Sequence, residues 1–320
     1  MANFGPETTT DEVLDGIDLS GKRYLVTGAS AGLGEETTRA IAAHGGAVLM
    51  AVRDLDKGEA VRQKILGQVP GADLEVRRLD LASFDSIRGF GEGFLANNDR
   101  LDCLIGNAGI MACPHWTTED GWEVQFGTNH LGHFLLFNLI APALVANGSS
   151  KVVLLSSAGH RFSDVDLDDP NFEQTEYDAW VAYGRAKTAN VLCAVGIDDR
   201  FKDQGVRANA LHPGGIVTEL GRHLTEETMG QLRSATKAAA TAEPTKAVWK
   251  SIPAGAATTV YVACHPDAEG IGGGYFEDCH LAGTSADPSS RSGVRSYALD
   301  RASADRLWDK SLEWVGLAAN

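Results

Sequence analysis

YLVTGASAGLGEETTRAIA, residues 24–42, decides how this chain is read. A short apolar run is followed by glycines at 28, 32 and 34, and then by a helical stretch from Glu35 to Ala43. A glycine-rich turn between a strand and a helix lets backbone N–H groups approach a pyrophosphate at the helix N-terminus, where the helix dipole favours negative charge. The spacing is G-x-x-x-G-x-G rather than the G-x-G-x-x-G fingerprint, and no G-K-[ST] follows, so this is not a Walker loop. Its position after the first strand of an alternating pattern predicts a dinucleotide site, with Gly28, Ser30, Gly32, Leu33 and Gly34 in the cradle.

The pattern continues outward from that loop. Strands are predicted at 23–26, 47–52, 74–78, 103–106, 152–156, 207–211 and 274–276. Helices are predicted at 35–43, 55–65, 84–97, 122–146, 182–201 and 254–263. Strands separated by helical lengths imply β-α-β units, and apolar runs such as AVLMAV and VVLL suit strands buried on both sides. The fold class is therefore α/β: a single doubly wound, Rossmann-like parallel sheet with helices on both faces. No break rich in Pro, Gly or Ser divides it, so residues 21–320 form one domain behind a loose, acidic, Thr-rich arm at 1–20. The irregular stretch 219–253 is the candidate substrate lid, with Leu220, Leu224, Met229 and Leu232 as its pocket wall. The amphipathic end, with Leu307, Trp308, Leu312, Trp314 and Val315, is expected to pack on the domain.

Composition narrows the partners. The 320 residues are 43% hydrophobic and 22% charged, with a formal charge of −15. That balance argues against nucleic acid and against an anionic membrane surface, both of which need clustered positive charge. Five scattered cysteines without a C-x-x-C pair read as reduced thiols, and the first residues lack the pattern of a signal peptide. No stretch reaches the roughly 20 apolar residues of a membrane span. A cytoplasmic protein is expected.

Two constellations carry chemistry. At the end of the second strand a carboxylate would bind the ribose 2′-hydroxyl of NAD, and an arginine the 2′-phosphate of NADP. Here Arg53 precedes Asp54, and a guanidinium suits a phosphate dianion, so NADP is expected, with NAD as the alternative. Tyr183 and Lys187 lie four apart in a helical stretch and share one helix face, downstream of a strand ending in Ser156–Ser157.

These motifs occur in a familiar order. TGASAGLG at 27–34, NAGIM at 107–111, NHLGHF at 129–134, LLSSAGH at 154–160, YGRAK at 183–187 and HPGGIVTEL at 212–220 resemble the short-chain dehydrogenase/reductase family. Within it the chain is similar to the retinol-dehydrogenase-like branch, which also resembles protochlorophyllide reductases. The resemblance implies Tyr183 as general acid/base and Lys187 as the group that favours its phenolate and holds the nicotinamide ribose. It implies Ser157 on the substrate oxygen, with Ser156 facing away, and Asn129 on a proton-relay water. Asn107, Ala108 and Gly109 would pass under the adenosine half, Asp80 and Leu81 would lie at the adenine, and Pro213, Gly214, Ile216 and Thr218 would frame the carboxamide.

Two features depart from the family pattern. An acidic insert separates Ser157 from Tyr183, and is read as a solvated loop at 164–178. The glycine loop also lacks the basic residue that some NADP-dependent members carry, which leaves Arg53 to argue for NADP. His130 and His133 are read as structural, His212 as a support for the Pro-Gly turn, and no metal site is expected, since a catalytic zinc wants three protein ligands. The expected reaction is hydride transfer between NADP(H) and an apolar secondary alcohol or ketone, aromatic or steroid-like, by a homodimeric enzyme. C=C reduction is the nearer alternative, and a non-catalytic nucleotide sensor the farther one.

Overall fold

The structure, a computed structural model, describes residues 4–97, 100–226, 228–230, 249–287, 290 and 292–318. Its core is an eight-stranded sheet. In chain order the strands are β1 (Arg23–Thr27), β2 (Ala47–Val52), β3 (Leu74–Arg78), β4 (Cys103–Gly106), β5 (Ser150–Leu155), β6 (Val206–His212), β9 (Gly274–Glu277) and β10 (His280–Leu281). Their order in space is β10-β9-β6-β5-β4-β1-β2-β3. All pairings are parallel except the last, where β10 turns back antiparallel on β9. A two-stranded parallel ribbon, β7 (Gly215–Ile216) with β8 (Trp249–Lys250), was not foreseen from the sequence. The order reverses between β1 and β4, and open α/β sheets bind ligands outside the strand C-termini at such a switch point.

The helices are α1 (Thr10–Leu14), α2 (Gly32–Ala43), α3 (Leu55–Gln68), α4 (Phe84–Leu95), α5 (Val124–Phe126), α6 (Gly132–Asn147), α7 (Ala179–Phe201), α8 (Ile252–Cys264) and α9 (Arg301–Trp314). They cover both faces, and each face has its own apolar core. One joins Phe90, Phe94, Phe134, Leu135, Leu192 and Trp308, from α4, α6, α7 and α9. The other joins Leu14, Ile41, Ile65, Val260 and Val262, from α1, α2, α3 and α8. The amphipathic end packs as expected, with Leu307, Trp308, Leu312 and Val315 buried.

Three expectations need correction. The arm is docked rather than loose: Thr9 forms a capping box with Glu12, Val13 and Leu14 are buried, and Arg39 bridges to Asp11 and Glu36. Val13 and Leu14, buried on one side of this short capped helix, dock it on α8. The continuous helical run Val124–Asn147 is long and apolar enough to cross a membrane, contrary to the sequence reading, but most of it is buried inside the protein. It is also not uniform, because residues Gly127–Leu131 are π-helical. Finally, the acidic insert is a surface loop, exposed at 173–176, but one folded on itself rather than merely solvated. Asp169 is buried and accepts from the backbone N–H groups of Glu173, Gln174 and Thr175, while the Arg185 guanidinium donates to the Asp169 carbonyl and lies 4.0 Å over the Phe172 ring. Local carboxylate-to-backbone bonds fold an acidic segment that composition alone marks as solvated.

Candidate active site

The glycine loop closes the way its residues require. Gly28 has φ +66°, a region that favours glycine, and a Cβ there would sit 2.9 Å from the Ala108 Cα. A Cβ on Gly34 would overlap the Gly28 carbonyl oxygen and fall 2.5 Å from Asn107 Nδ2. Asn107 Nδ2 donates to the Thr27 carbonyl at 2.8 Å and the Gly28 carbonyl at 3.3 Å, so the end of β4 pins the end of β1. Gly32, with φ +55°, opens α2, and its nearest neighbour in the Cβ direction is the Thr218 methyl at 3.5 Å. That leaves a backbone-lined cradle at a helix N-terminus, which a Cβ would fill and a pyrophosphate suits. Leu33 and Ile216 both pack against Gly255 of α8, a residue the motif reading missed, and this brings the 213–218 loop over the cradle. Ser30 is half-buried within it.

Beyond the cradle, Asp80 turns its carboxylate onto the Ala82 N–H at 3.0 Å, and the Leu81 carbonyl lies where only a glycine at 132 fits. Arg53 is exposed at the end of β2, near enough to His223 to help hold that imidazole's pKa down, after burial and Arg222. Asp54 is already committed, because its carboxylate caps α3 by accepting from the Lys57 N–H at 3.1 Å. Pro213 and Gly214 follow β6. Gly214, at φ +106°, sits on the Lys250 stem, and Lys250 pairs with Asp278 at 2.5 Å. His212 Nδ1 accepts from the Ala158 and Gly214 N–H groups, the turn-supporting role expected of it.

The four expected catalytic side chains converge. Tyr183 on α7 is buried, and its ring packs on Gly159, where a Cβ would lie 2.6 Å from Cε1 and 3.4 Å from Ser157 Oγ. Burial pushes the phenol up to about 12, and the Ser157 hydroxyl opposes that rise. Lys187 lies one turn on, its Nζ 5.7 Å from the Tyr183 ring centroid and donating to the Leu155 carbonyl at 2.8 Å. Burial brings its pKa down to about 8. Ser156 points the other way and donates to the Lys187 carbonyl at 2.8 Å. Asn129 stands in the π-helical turn, donating to the Ile110 carbonyl and accepting from the Ile110 N–H, both at 2.9 Å. Gly109 lies beside it: a Cβ there would be 3.1 Å from Asn129 Oδ1 and 3.5 Å from Lys187 Nζ.

His133 explains part of this order. Its Nδ1 meets the Asn129 carbonyl at 2.9 Å, and its Nε2 meets Thr27 Oγ1, which accepts from the Ala108 N–H. A carbonyl only accepts, so Nδ1 carries the proton and Nε2 receives the Thr27 hydroxyl. His130 pairs with Ser311 instead. The two histidines are therefore structural, as read.

An apolar cluster of Ala112, Ala179 and Trp180 surrounds the Tyr183 ring, with Met111, Tyr177 and Leu224 against it. Trp180 Nε1 donates to the Thr228 carbonyl at 2.8 Å, which ties α7 to the segment after 219. Of the expected pocket wall, Leu224 joins this cluster, Leu220 and Met229 are half-buried, and Leu232 lies outside the described residues. Tyr177 is held by Gln125 and donates to the Cys113 carbonyl at 2.9 Å; sequence reasoning missed this pair.

Comparison with known proteins finds relatives over nearly the whole chain. A family model described as short chain dehydrogenase matches residues 22–229. A short-chain dehydrogenase/reductase of Penicillium rubens is 42% identical over 310 residues, which cover 95% of this chain and 88% of that one. Retinol dehydrogenase 13 of Homo sapiens is 39% identical over 304 residues, covering 94% and 86%. Among solved structures, an uncharacterized protein from Mycobacterium paratuberculosis matches with a TM-score of 0.72 at 31% identity, over 97% of this chain and 98% of that one.

Proposed function

The chain belongs to the short-chain dehydrogenase/reductase family of NAD(P)-dependent oxidoreductases, and on that premise we propose that it interconverts an apolar secondary alcohol and its ketone using NADP(H). One observation carries the reading: Tyr183, buried in an apolar cluster, shares Gly159 with the Ser157 hydroxyl and is flanked by Lys187 beside a glycine cradle. The 28–34 loop, Asp80, Leu81, 107–109 and 213–218 would hold NADP(H), which when bound would supply or accept the hydride. Tyr183 takes the hydroxyl proton in oxidation and returns it to the carbonyl oxygen in reduction. Ser157 holds that oxygen, Lys187 and Asn129 hold the ribose and a relay water, and the Trp180–Leu224 wall excludes bulk water. Five free cysteines support a reducing, cytoplasmic setting, and a homodimer completes the reading.

The test is cofactor absorbance with NADP⁺ and NAD⁺ offered separately over a panel of apolar secondary alcohols. Turnover on none of them, with cofactor bound, would sink the proposal.

Asp54's engagement as a helix cap leaves Arg53 as the charge for the 2′-phosphate. Charge-assisted hydrogen bonds contribute about 1.5–3 kcal/mol. Arg53→Ala should therefore raise KM for NADP(H) about 10-fold or more and leave KM for NAD(H) within about 2-fold. Equal effects on both would assign the ribose to another group.

Oxidation needs the phenolate and reduction the phenol. With burial holding the Tyr183 phenol high, kcat/KM for oxidation should climb with pH through the alkaline range, while reduction holds until that range and then falls. The Ser157 hydroxyl opposes the rise of the phenol's pKa, so Ser157→Ala should move the oxidation limb to higher pH and cost about 10-fold or more in kcat. A limb that stays put would remove Ser157 from the site.

A further inference from the structure

The Ser157 loop is held from behind. Its carbonyl accepts from the His160 backbone N–H at 3.1 Å and meets His160 Nδ1 at 2.6 Å. On the opposite edge of the ring, His160 Nε2 accepts from the Arg295 backbone N–H at 3.2 Å. A carbonyl only accepts and an amide N–H only donates, so the imidazole is locked as the neutral Nδ1–H tautomer. The lock is buried and braced. His160 is fully buried, and its own carbonyl receives the Tyr297 hydroxyl at 2.7 Å and the Thr188 hydroxyl at 2.9 Å. The Tyr275 ring packs 5.0 Å from the imidazole. Two residues before Arg295, the Gly293 N–H donates to Glu277 Oε1 at 2.7 Å, and the Gly293 carbonyl accepts from Arg161 at 2.7 Å.

We propose that His160 is a positioning residue for the Ser157–Tyr183 pair, through which the tail turn at 293–297 sets the orientation of the Ser157 hydroxyl. A tilt of the Ser157 peptide turns Oγ, which accepts from the Gly159 N–H at 3.0 Å, and Gly159 carries the Tyr183 ring. Serine, phenol and tail therefore move as one unit. The proposal rests on the catalytic roles given above to Ser157 and Tyr183.

The far donor can be removed without touching the site. Arg295 has φ −70° and ψ 139°, which proline adopts without strain, and Val294 before it is bridged to Thr284 in the extended form that precedes proline. Arg295→Pro removes the N–H and the side chain, while Arg295→Ala removes the side chain alone. Relative to Arg295→Ala, Arg295→Pro should lower kcat about 10-fold and move the oxidation limb to higher pH. NADPH affinity by fluorescence should stay within about 2-fold in both. Coincident kcat and pH limbs in the two variants would overturn the proposal. A wild type that turns over no alcohol or ketone would defeat the catalytic reading instead. The nitrogen-15 spectrum of the histidines, with His160 assigned by its loss in His160→Gln, then decides. A protonated Nδ1 in wild type and Arg295→Ala, altered in Arg295→Pro, supports the strut; an unprotonated Nδ1 in wild type overturns it.

Discussion

Tyr183→Phe is expected to lower kcat for both directions by about 10²–10⁴-fold, the range that a positioned proton donor or acceptor contributes. The ring itself should stay in place. It is buried against Gly159 and lies edge-on to Trp180, 6.3 Å between centroids, and neither contact uses the hydroxyl. NADPH affinity by fluorescence and the melting temperature should therefore remain close to wild type. A Phe variant that keeps more than about a tenth of wild-type kcat would transfer the proton to another group. A variant that loses cofactor binding as well would make Tyr183 a structural residue first. Steady-state kinetics beside a binding titration separates these outcomes.

Gly34→Ala should be the most damaging change to the cradle. The new methyl would overlap the Gly28 carbonyl oxygen and crowd Asn107 Nδ2, and backbone cannot rotate away as a side chain would. Overpacking of this kind costs about 1–3 kcal/mol or more. The loop can relieve it only by opening, which also breaks the Asn107 bonds that pin β4 to β1. NADPH affinity should fall about 100-fold or more, and the melting temperature should drop. Gly89→Ala on the exposed face of α4 is the control, since nothing lies within 4 Å of its Cβ direction. That substitution should be neutral or stabilising by about 0.4–1 kcal/mol, through the unfolded chain. If both variants bind NADPH equally, the glycine at 34 is not what shapes the site.

The same particulars divide what was legible from what was not. Strand β2 reads directly from AVLMAV, and the α7 spacing of Tyr183 and Lys187 from AYGRAK, because apolar runs and helical periodicity are local properties of the chain. Ser157 could be preferred to Ser156 because neighbours on a strand face opposite ways. In the structure Ser156 indeed turns away, donating to the Lys187 carbonyl. The docking of the arm and the internal folding of the insert escape the sequence for one shared reason. Charge and polarity point to solvation, whereas Asp169 and the Thr9–Glu12 box give their polar atoms to neighbouring backbone and fold the segment.

By itself, the sequence determined the α/β class, the glycine-rich turn between β1 and α2, and the spacing of the four catalytic candidates. Each depends on spacing along the chain and on what a residue type can do. Only the tertiary structure decided the antiparallel return of β10, the π-helical turn that carries Asn129, the packing of Tyr183 on Gly159 and the His160 strut to Arg295. These join residues far apart in sequence, and no local pattern records them. They arise when two cores close on opposite faces of one sheet, and buried hydrogen-bonding groups must then find partners wherever the packing has brought them.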